Sequence, residues 1–201
     1  MNRDVDPQAL PGCSIEGVRV VELRGSDEAE LQRFFAQAPD YFLAVNGEPA
    51  TPNEAREELQ GQLPPGWRCR RMYWLGYRDG QGQLVAVVNI AADLLALGVW
   101  HIGLLLVDPR LHGTGLAQRL HRDLEAWAVI QGAEWLRLTV VLGNTKAERF
   151  WPKLGYVTVR IREGIRMGRQ VNRVAIQVKA LAGGQVDDYL RRVARDRADA
   201  Q

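Results

Sequence analysis

Val107-Asp108-Pro109-Arg110-Leu111-His112-Gly113-Thr114-Gly115-Leu116-Ala117 decides how this 201-residue chain is read. Residues 99–107 form a continuous apolar run of strand length. Pro109 then turns the chain, and two glycines lead into a helix reaching about residue 131. In it Leu116, Leu120, Leu124 and Trp127 recur at spacings of 4, 4 and 3. A helix start leaves backbone N–H groups without partners and carries partial positive charge. Glycine lets such groups point inward and lets an anion come close. Strand, glycine turn and helix together make an anion site suited to phosphates. The turn is not a P-loop, which needs Gly-Lys-Ser/Thr where this chain has Gly115-Leu116-Ala117. Nor is it a dinucleotide fingerprint, because Gln118 takes the last glycine position and no βαβ repeat precedes it. By itself it equally fits a tight strand-to-helix connection.

Upstream, residues 18–23 read as a first strand, and Ser26 caps a helix to about residue 38 with Leu31, Phe34 and Phe35 on its apolar face. Pro39 ends that helix. Thr51-Pro52-Asn53-Glu54 is a capping box with proline at the first helical position, opening a second helix to about residue 63. Residues 69–77 and 83–92 form a hairpin around Asp79-Gly80-Gln81-Gly82. Downstream come a strand at 136–141, a short helix at 145–153, and strands at 156–161 and 173–179. The order predicts a mixed α/β sheet in a single domain spanning 17–180, after a loose lead-in at 1–16 and before a charged C-terminal helix or tail at 181–201.

Composition narrows the class. The apolar share of 46% suits a soluble globular protein. A net charge of +2 gives no case for nucleic acid. The N-terminus lacks a signal-peptide core, and no run approaches the ~18 apolar residues of a membrane span. Cys13 and Cys69, without CxxC spacing, read as reduced thiols. A soluble, cytoplasmic protein without a metal or membrane partner is expected.

With its flanks, the glycine turn resembles the signature of GNAT-family acetyltransferases, Q/R-x-x-G-x-G/A after a strand ending V-x-P: here His112-Gly113-Thr114-Gly115-Leu116-Ala117 after Val107-Asp108-Pro109. Asn144-Thr145-Lys146-Ala147-Glu148-Arg149-Phe150-Trp151-Pro152-Lys153-Leu154-Gly155-Tyr156 resembles a second signature, N-x-x-A-x-x-F-Y-x-x-x-G-F. The resemblance covers roughly residues 75–159. It implies a splayed sheet with acetyl-CoA as co-substrate between the strands at 99–107 and 136–141. Backbone groups of Leu105, Leu106 and Val107 would pair with the pantetheine arm. N–H groups at His112, Gly113, Thr114, Gly115, Leu116 and Ala117 would hold the pyrophosphate. Asn144 would contact the pantetheine arm or order the loop beside it, and Lys146 would aid the coenzyme or remain a solvated helix lysine. Two departures are read: His112 in place of Gln or Arg, and Trp151 where many relatives carry the tyrosine acid. Indole N–H is no proton shuttle at neutral pH, so Trp151 is expected along the coenzyme or in the core.

The implied reaction is direct attack of a primary amine, of a small molecule, on the thioester. The alternatives are a protein or peptide acetyltransferase, or a silent acetyl-CoA sensor. Leu105 or Leu106 N–H would stabilise the oxyanion. His101 is a candidate base against a structural role, while His121 reads as exposed. Tyr41, Phe42 and Trp74 are candidate walls for the acceptor against core packing, with Asp93 a further candidate against loop capping. GNAT relatives are often dimers, so a homodimer is compatible.

Overall fold

The computed structural model describes residues 9–61 and 63–200. Seven strands form one sheet in the order β1-β2-β3-β4-β5-β7-β6. They are β1 (Arg19–Glu22), β2 (Arg71–Arg78), β3 (Leu84–Ala92), β4 (Val99–Val107), β5 (Trp135–Val141), β6 (Val157–Met167) and β7 (Gln170–Ala180). All neighbours are antiparallel except β4 and β5. The helices are α1 (Glu28–Ala36), α2 (Pro39–Asn46), α3 (Glu54–Leu59), α4 (Leu116–Ile130), α5 (Thr145–Phe150) and α6 (Val186–Arg192).

The sequence reading missed α2. Pro39 does end α1, because Ala38 leaves the helical region at φ −118°. The same proline then occupies the first turn of a new helix, where its missing N–H costs nothing. Tyr41 and Phe42 therefore lie on a helix rather than in a loop. Glu54 accepts from Thr51 N–H at 3.0 Å, which is one half of the expected capping box. The helix it opens stops at Leu59, short of the expected 63. The hairpin β6–β7 is longer than its sequence suggested, and much of β6 is exposed. Solvent on that strand dilutes the apolar alternation by which strands are recognised.

Alternate strand residues feed opposite layers. On one face Trp100, Ile102, Tyr73 and Leu75 pack under α4 through Leu120, Leu124 and Trp127. On the other, Trp74, Val87, Leu104 and Leu106 pack under α1 and α3 through Leu31, Phe34, Phe35 and Ala55, with Phe42 of α2. The C-terminal segment covers the same face further along, where Tyr189 and Val193 meet Val99, Trp135 and Val178.

That segment is tied down by charge as well. Arg137 of β5 donates to Asp196 at 2.8 and 3.2 Å, and Tyr189 donates to the same carboxylate at 2.5 Å. Arg137 is 2% exposed and Asp196 is fully buried. Desolvation alone would raise the Asp196 carboxyl. The hydrogen bonds and charge of Arg137 outweigh it and hold the group below its usual range.

Candidate active site

The parallel ladder between β4 and β5 is short. It runs from Val99↔Trp135 to Ile102↔Leu138 and stops. Beyond it β4 follows β3, through Leu105↔Val88 to Val107↔Ala86, while β5 follows β7 to Val141↔Val174. A wedge therefore opens between residues 103–107 and 139–141. Its vertex carries a bulge: Ile90 pairs with Ile102 and Asn89 with Leu104, leaving Gly103 as the extra residue. The bulge inverts side-chain parity, so Trp100 and Ile102 share a face with Leu105 and Val107. Asn89 Oδ1 stands 2.5 Å from where a Cβ on residue 103 would lie, so any other residue there would have to displace the Asn89 amide. Gly103 is exposed although it sits inside a central strand.

β4 leads through a 3-10 turn, Pro109–Leu111, into the glycine turn and α4. Asp108, 2% exposed, accepts from Arg110 N at 2.9 Å and from Arg110 Nε at 3.0 Å. The Arg110 side chain is the main reason its carboxyl lies below the usual range. Thr114 braces the turn from inside: its hydroxyl donates to Leu111 O at 2.8 Å and accepts from Leu116 N at 3.3 Å. Gly113 and Gly115 take φ of +80° and +79°, and a Cβ at either would meet nothing within 4 Å. The turn and helix start leave the N–H groups of Gly113, Gly115, Ala117 and Gln118 without acceptors among the described residues. Open space faces a row of free donors at the positive end of α4. His112 does not join them. Its Nε2 donates to Val107 O at 3.0 Å, which folds the ring back on the strand and occupies that carbonyl.

α5 closes the far side of the wedge. Asn144 Oδ1 accepts from Ala147 N at 3.2 Å, so Asn144 caps the helix and orders the loop. Asn144→Ala is expected to cost about 0.5–2 kcal/mol, read by denaturant unfolding; no change would remove the capping role. Lys146 Nζ reaches Asp40 Oδ2 of α2 at 3.2 Å across exposed surface. Trp151, 8% exposed, packs edge-to-face on Phe150, Tyr156 and His121 with ring centroids 4.9, 5.2 and 5.8 Å away. Of its two expected places the core is the one seen.

His121 departs from its exposed reading. It is 1% exposed and bonded through Nε2 to Tyr156 Oη at 2.9 Å. Four residues after Ala117 and three before Leu124, it falls on the apolar stripe of α4. Burial and then Lys179 push it down to about 4, so it is neutral.

On the opposite face, Trp74 is 6% exposed and donates from Nε1 to Glu58 O at 3.1 Å. Phe42, 3% exposed, packs edge-to-face on Phe35 at 5.2 Å and on Tyr41 at 5.1 Å. Phe42 and Trp74 are thus core members behind half-buried Tyr41. Asp93 does not belong with them. It lies at φ +55° in the loop between β3 and β4, at the end of β4 away from the wedge. There it accepts from Gly98 N at 2.8 Å and pairs with Arg70 at 2.7 Å. His101 sits in the paired part of the ladder opposite Arg137, whose Nη1 donates to its Nδ1 at 3.1 Å. Burial, then the Arg137 charge, push His101 down to about 3. Its acceptor nitrogen is taken and its basicity is lost, so the geometry opposes a role as base.

The sequence profile of the Acetyltransferase (GNAT) family matches residues 31–156, well over half of the chain. The chain belongs to the GNAT acetyltransferase family. It shares the fold of an acetyltransferase from Thermus thermophilus, with a TM-score of 0.65, 21% identity, and 81% of this chain and 96% of that one covered. Spermidine N-acetyltransferase from Vibrio cholerae, solved with CoA and spermine, aligns with a TM-score of 0.64 and 13% identity over 84% and 98% of the two chains. The ribosomal-protein-S18-alanine N-acetyltransferase of Escherichia coli aligns with a TM-score of 0.62 and 15% identity over 84% and 96%. Among curated proteins, none matches.

As a GNAT member this protein is an N-acetyltransferase with acetyl-CoA as co-substrate. Free donors, an open cradle and an unpaired strand edge in one wedge fit that coenzyme. The first signature position also needs correction. Three residues before Gly113 stands Arg110, not His112, so this GNAT chain carries the usual arginine. Sequence reasoning also passed over Gly103 and Asn89. A lone glycine in an apolar run signals a bulge or a close approach, and that signal was available for Gly103.

Proposed function

We propose that this GNAT enzyme acetylates the primary amine of a small molecule, which enters from the face covered by α1–α3 and attacks the thioester directly. The exposed Gly103 bulge beside the Asn89 amide carries this reading. It is an opening to the wedge vertex from the side opposite α4. Leu104 and Leu106 pack on the same face beside it. The fold is shared with a spermidine N-acetyltransferase, which supports an acceptor of that size.

Holding amine and thioester together is worth roughly 7–11 kcal/mol in favourable cases. Backbone N–H of Leu105 or Leu106, on the free edge of β4, would stabilise the oxygen that gains charge. The leaving group is a thiolate, a far weaker base than an alkoxide or an amide anion, so it departs without a strong acid. That suits a chain with Trp151 in the acid's place. Gly113, Gly115 and Ala117 would bind the pyrophosphate, with Thr114 bracing them.

Thiol release from acetyl-CoA with a panel of small primary amines and a panel of peptides tests the acceptor. Turnover of small amines is expected. Turnover of peptides alone would replace this reading with a protein-modifying one.

A further inference from the structure

Three neighbouring strands break their burial at one level. β3 is buried along its whole length except at Asn89, and β5 is buried except at Thr139. Between them β4 is exposed at Gly103. Asn89 pairs with Leu104, the residue after Gly103. Thr139 follows Leu138, whose pairing with Ile102 is the last rung before the strands part. Asn89, Gly103 and Thr139 therefore stand side by side across the wedge vertex.

They open on one face. Leu136, Leu138 and Val140 pack toward α4, so strand alternation turns Thr139 to the opposite side. Trp74 and Leu104, the cross-strand partners of Asn89, pack under α1 and α3. Asn89 Nδ2 donates to Tyr73 O of β2 at 3.4 Å. A carbonyl oxygen can only accept, so this contact fixes the amide with its nitrogen toward β2. Oδ1 is left on the other side, 2.5 Å from the Cβ position of Gly103. Neither Asn89 Oδ1 nor Thr139 Oγ1 has a hydrogen-bond partner among the described residues, and neither is sealed from solvent. Two unpaired acceptor oxygens thus flank an exposed glycine at the point where the wedge opens.

We infer that Asn89 and Thr139 hold the acceptor's nitrogen by two N–H groups, and that this pair selects primary over secondary amines. The inference rests on the acceptor entering from the α1–α3 face. The ammonium first gives one proton to water, since neither an amide nor a hydroxyl is a base at neutral pH. The R–NH2 that remains donates one N–H to Asn89 Oδ1 and the other to Thr139 Oγ1. Its lone pair is then the free position and forms the N–C bond. The C–S bond breaks, and its electron pair leaves with sulfur. The nitrogen sheds a second proton to water, and water returns one to the thiolate.

The test measures kcat/KM for a primary amine that wild type acetylates, small or peptidic, and for its N-methyl analogue. Wild type, Asn89→Leu, Thr139→Val and Thr139→Ser are compared. Wild type should prefer the primary amine by about 10-fold or more, because the analogue leaves one oxygen unpaired. In Asn89→Leu and in Thr139→Val the primary amine should lose about 10-fold. The analogue should lose little, since its one N–H fills the oxygen that remains, and the preference narrows toward parity. Thr139→Ser keeps the hydroxyl and should keep the preference. Acetyl-CoA affinity by calorimetry should not change in any of them. A preference that survives intact in either Asn89→Leu or Thr139→Val overturns the inference. Gly103→Ala then reads the entry itself, because its Cβ would displace the Asn89 amide. Lost turnover with intact coenzyme affinity in that variant retains the α1–α3 entry without the pair, whereas wild-type turnover removes both. Peptide-only turnover with the loss of preference intact overturns only the small-molecule reading.

Discussion

Replacing Asp196 with alanine is expected to destabilise the fold by about 3–5 kcal/mol, because it leaves Arg137 charged and buried without a partner. Arg137 is 2% exposed, and its guanidinium holds both Asp196 oxygens. The alanine variant also leaves the Tyr189 hydroxyl without its acceptor. Denaturant unfolding at pH 7 reads the loss, and a change below about 1 kcal/mol would show that the pair does not hold the C-terminal segment. Acid supplies a second reading. The Asp196 carboxyl is held below its usual value, so its contribution is full above about pH 3.9 and is lost as pH falls through the lowered folded value. The wild-type and variant stabilities should converge in acid. Replacing both partners, Arg137→Met with Asp196→Leu, should recover much of the loss, since two apolar groups leave no charge stranded.

The Arg137 network bears on the site through position. Arg137 pairs with His101, one step before the last rung at Ile102↔Leu138. The network therefore sits at the closed end of the wedge and fixes where the two strands part. The same contacts explain why His101 is a structural histidine despite standing in a strand that borders the wedge.

Much of this was legible in the sequence where local chemistry and periodicity agree. β4 begins and ends where the apolar run does, and α4 follows its 4, 4, 3 spacing. The two signatures mark the glycine turn and the Asn144 cap. What was not legible depends on tertiary placement. Pro39 stops one helix and starts another, and a single residue gives no sign of doing both. The terminal segment reads as a charged helix or tail and does hold α6, yet Tyr189, Val193 and Asp196 are all buried. Only the distant Arg137 makes a buried aspartate acceptable there. The bulge at Gly103 changes parity without changing composition, so the run reads as a regular strand.

Gly115→Val is expected to weaken acetyl-CoA binding by about 100-fold or more while leaving a folded protein. The cradle works only if Gly115 keeps φ of +79°, a conformation that costs residues with a Cβ about 1–2 kcal/mol. A β-branched side chain relaxes toward negative φ and swings its own N–H out of the row. It also places methyl groups in the open space the phosphates require. Two lost hydrogen bonds to a charged group, at roughly 1.5–3 kcal/mol each, account for a factor of that size at about 1.4 kcal/mol per tenfold. Because a Cβ there meets nothing in the protein within 4 Å, the fold itself loses only the backbone strain. Gly132 supplies the control. It has φ of +94° and equal open space, but it follows the other end of α4, where carbonyls rather than N–H groups are free. Gly132→Val should show a similar small drop in melting temperature with coenzyme affinity unchanged. Calorimetry with acetyl-CoA on both variants separates strain from recognition. Equal affinity losses in the two would show that the Gly113–Gly115 turn is a connection and not the pyrophosphate site.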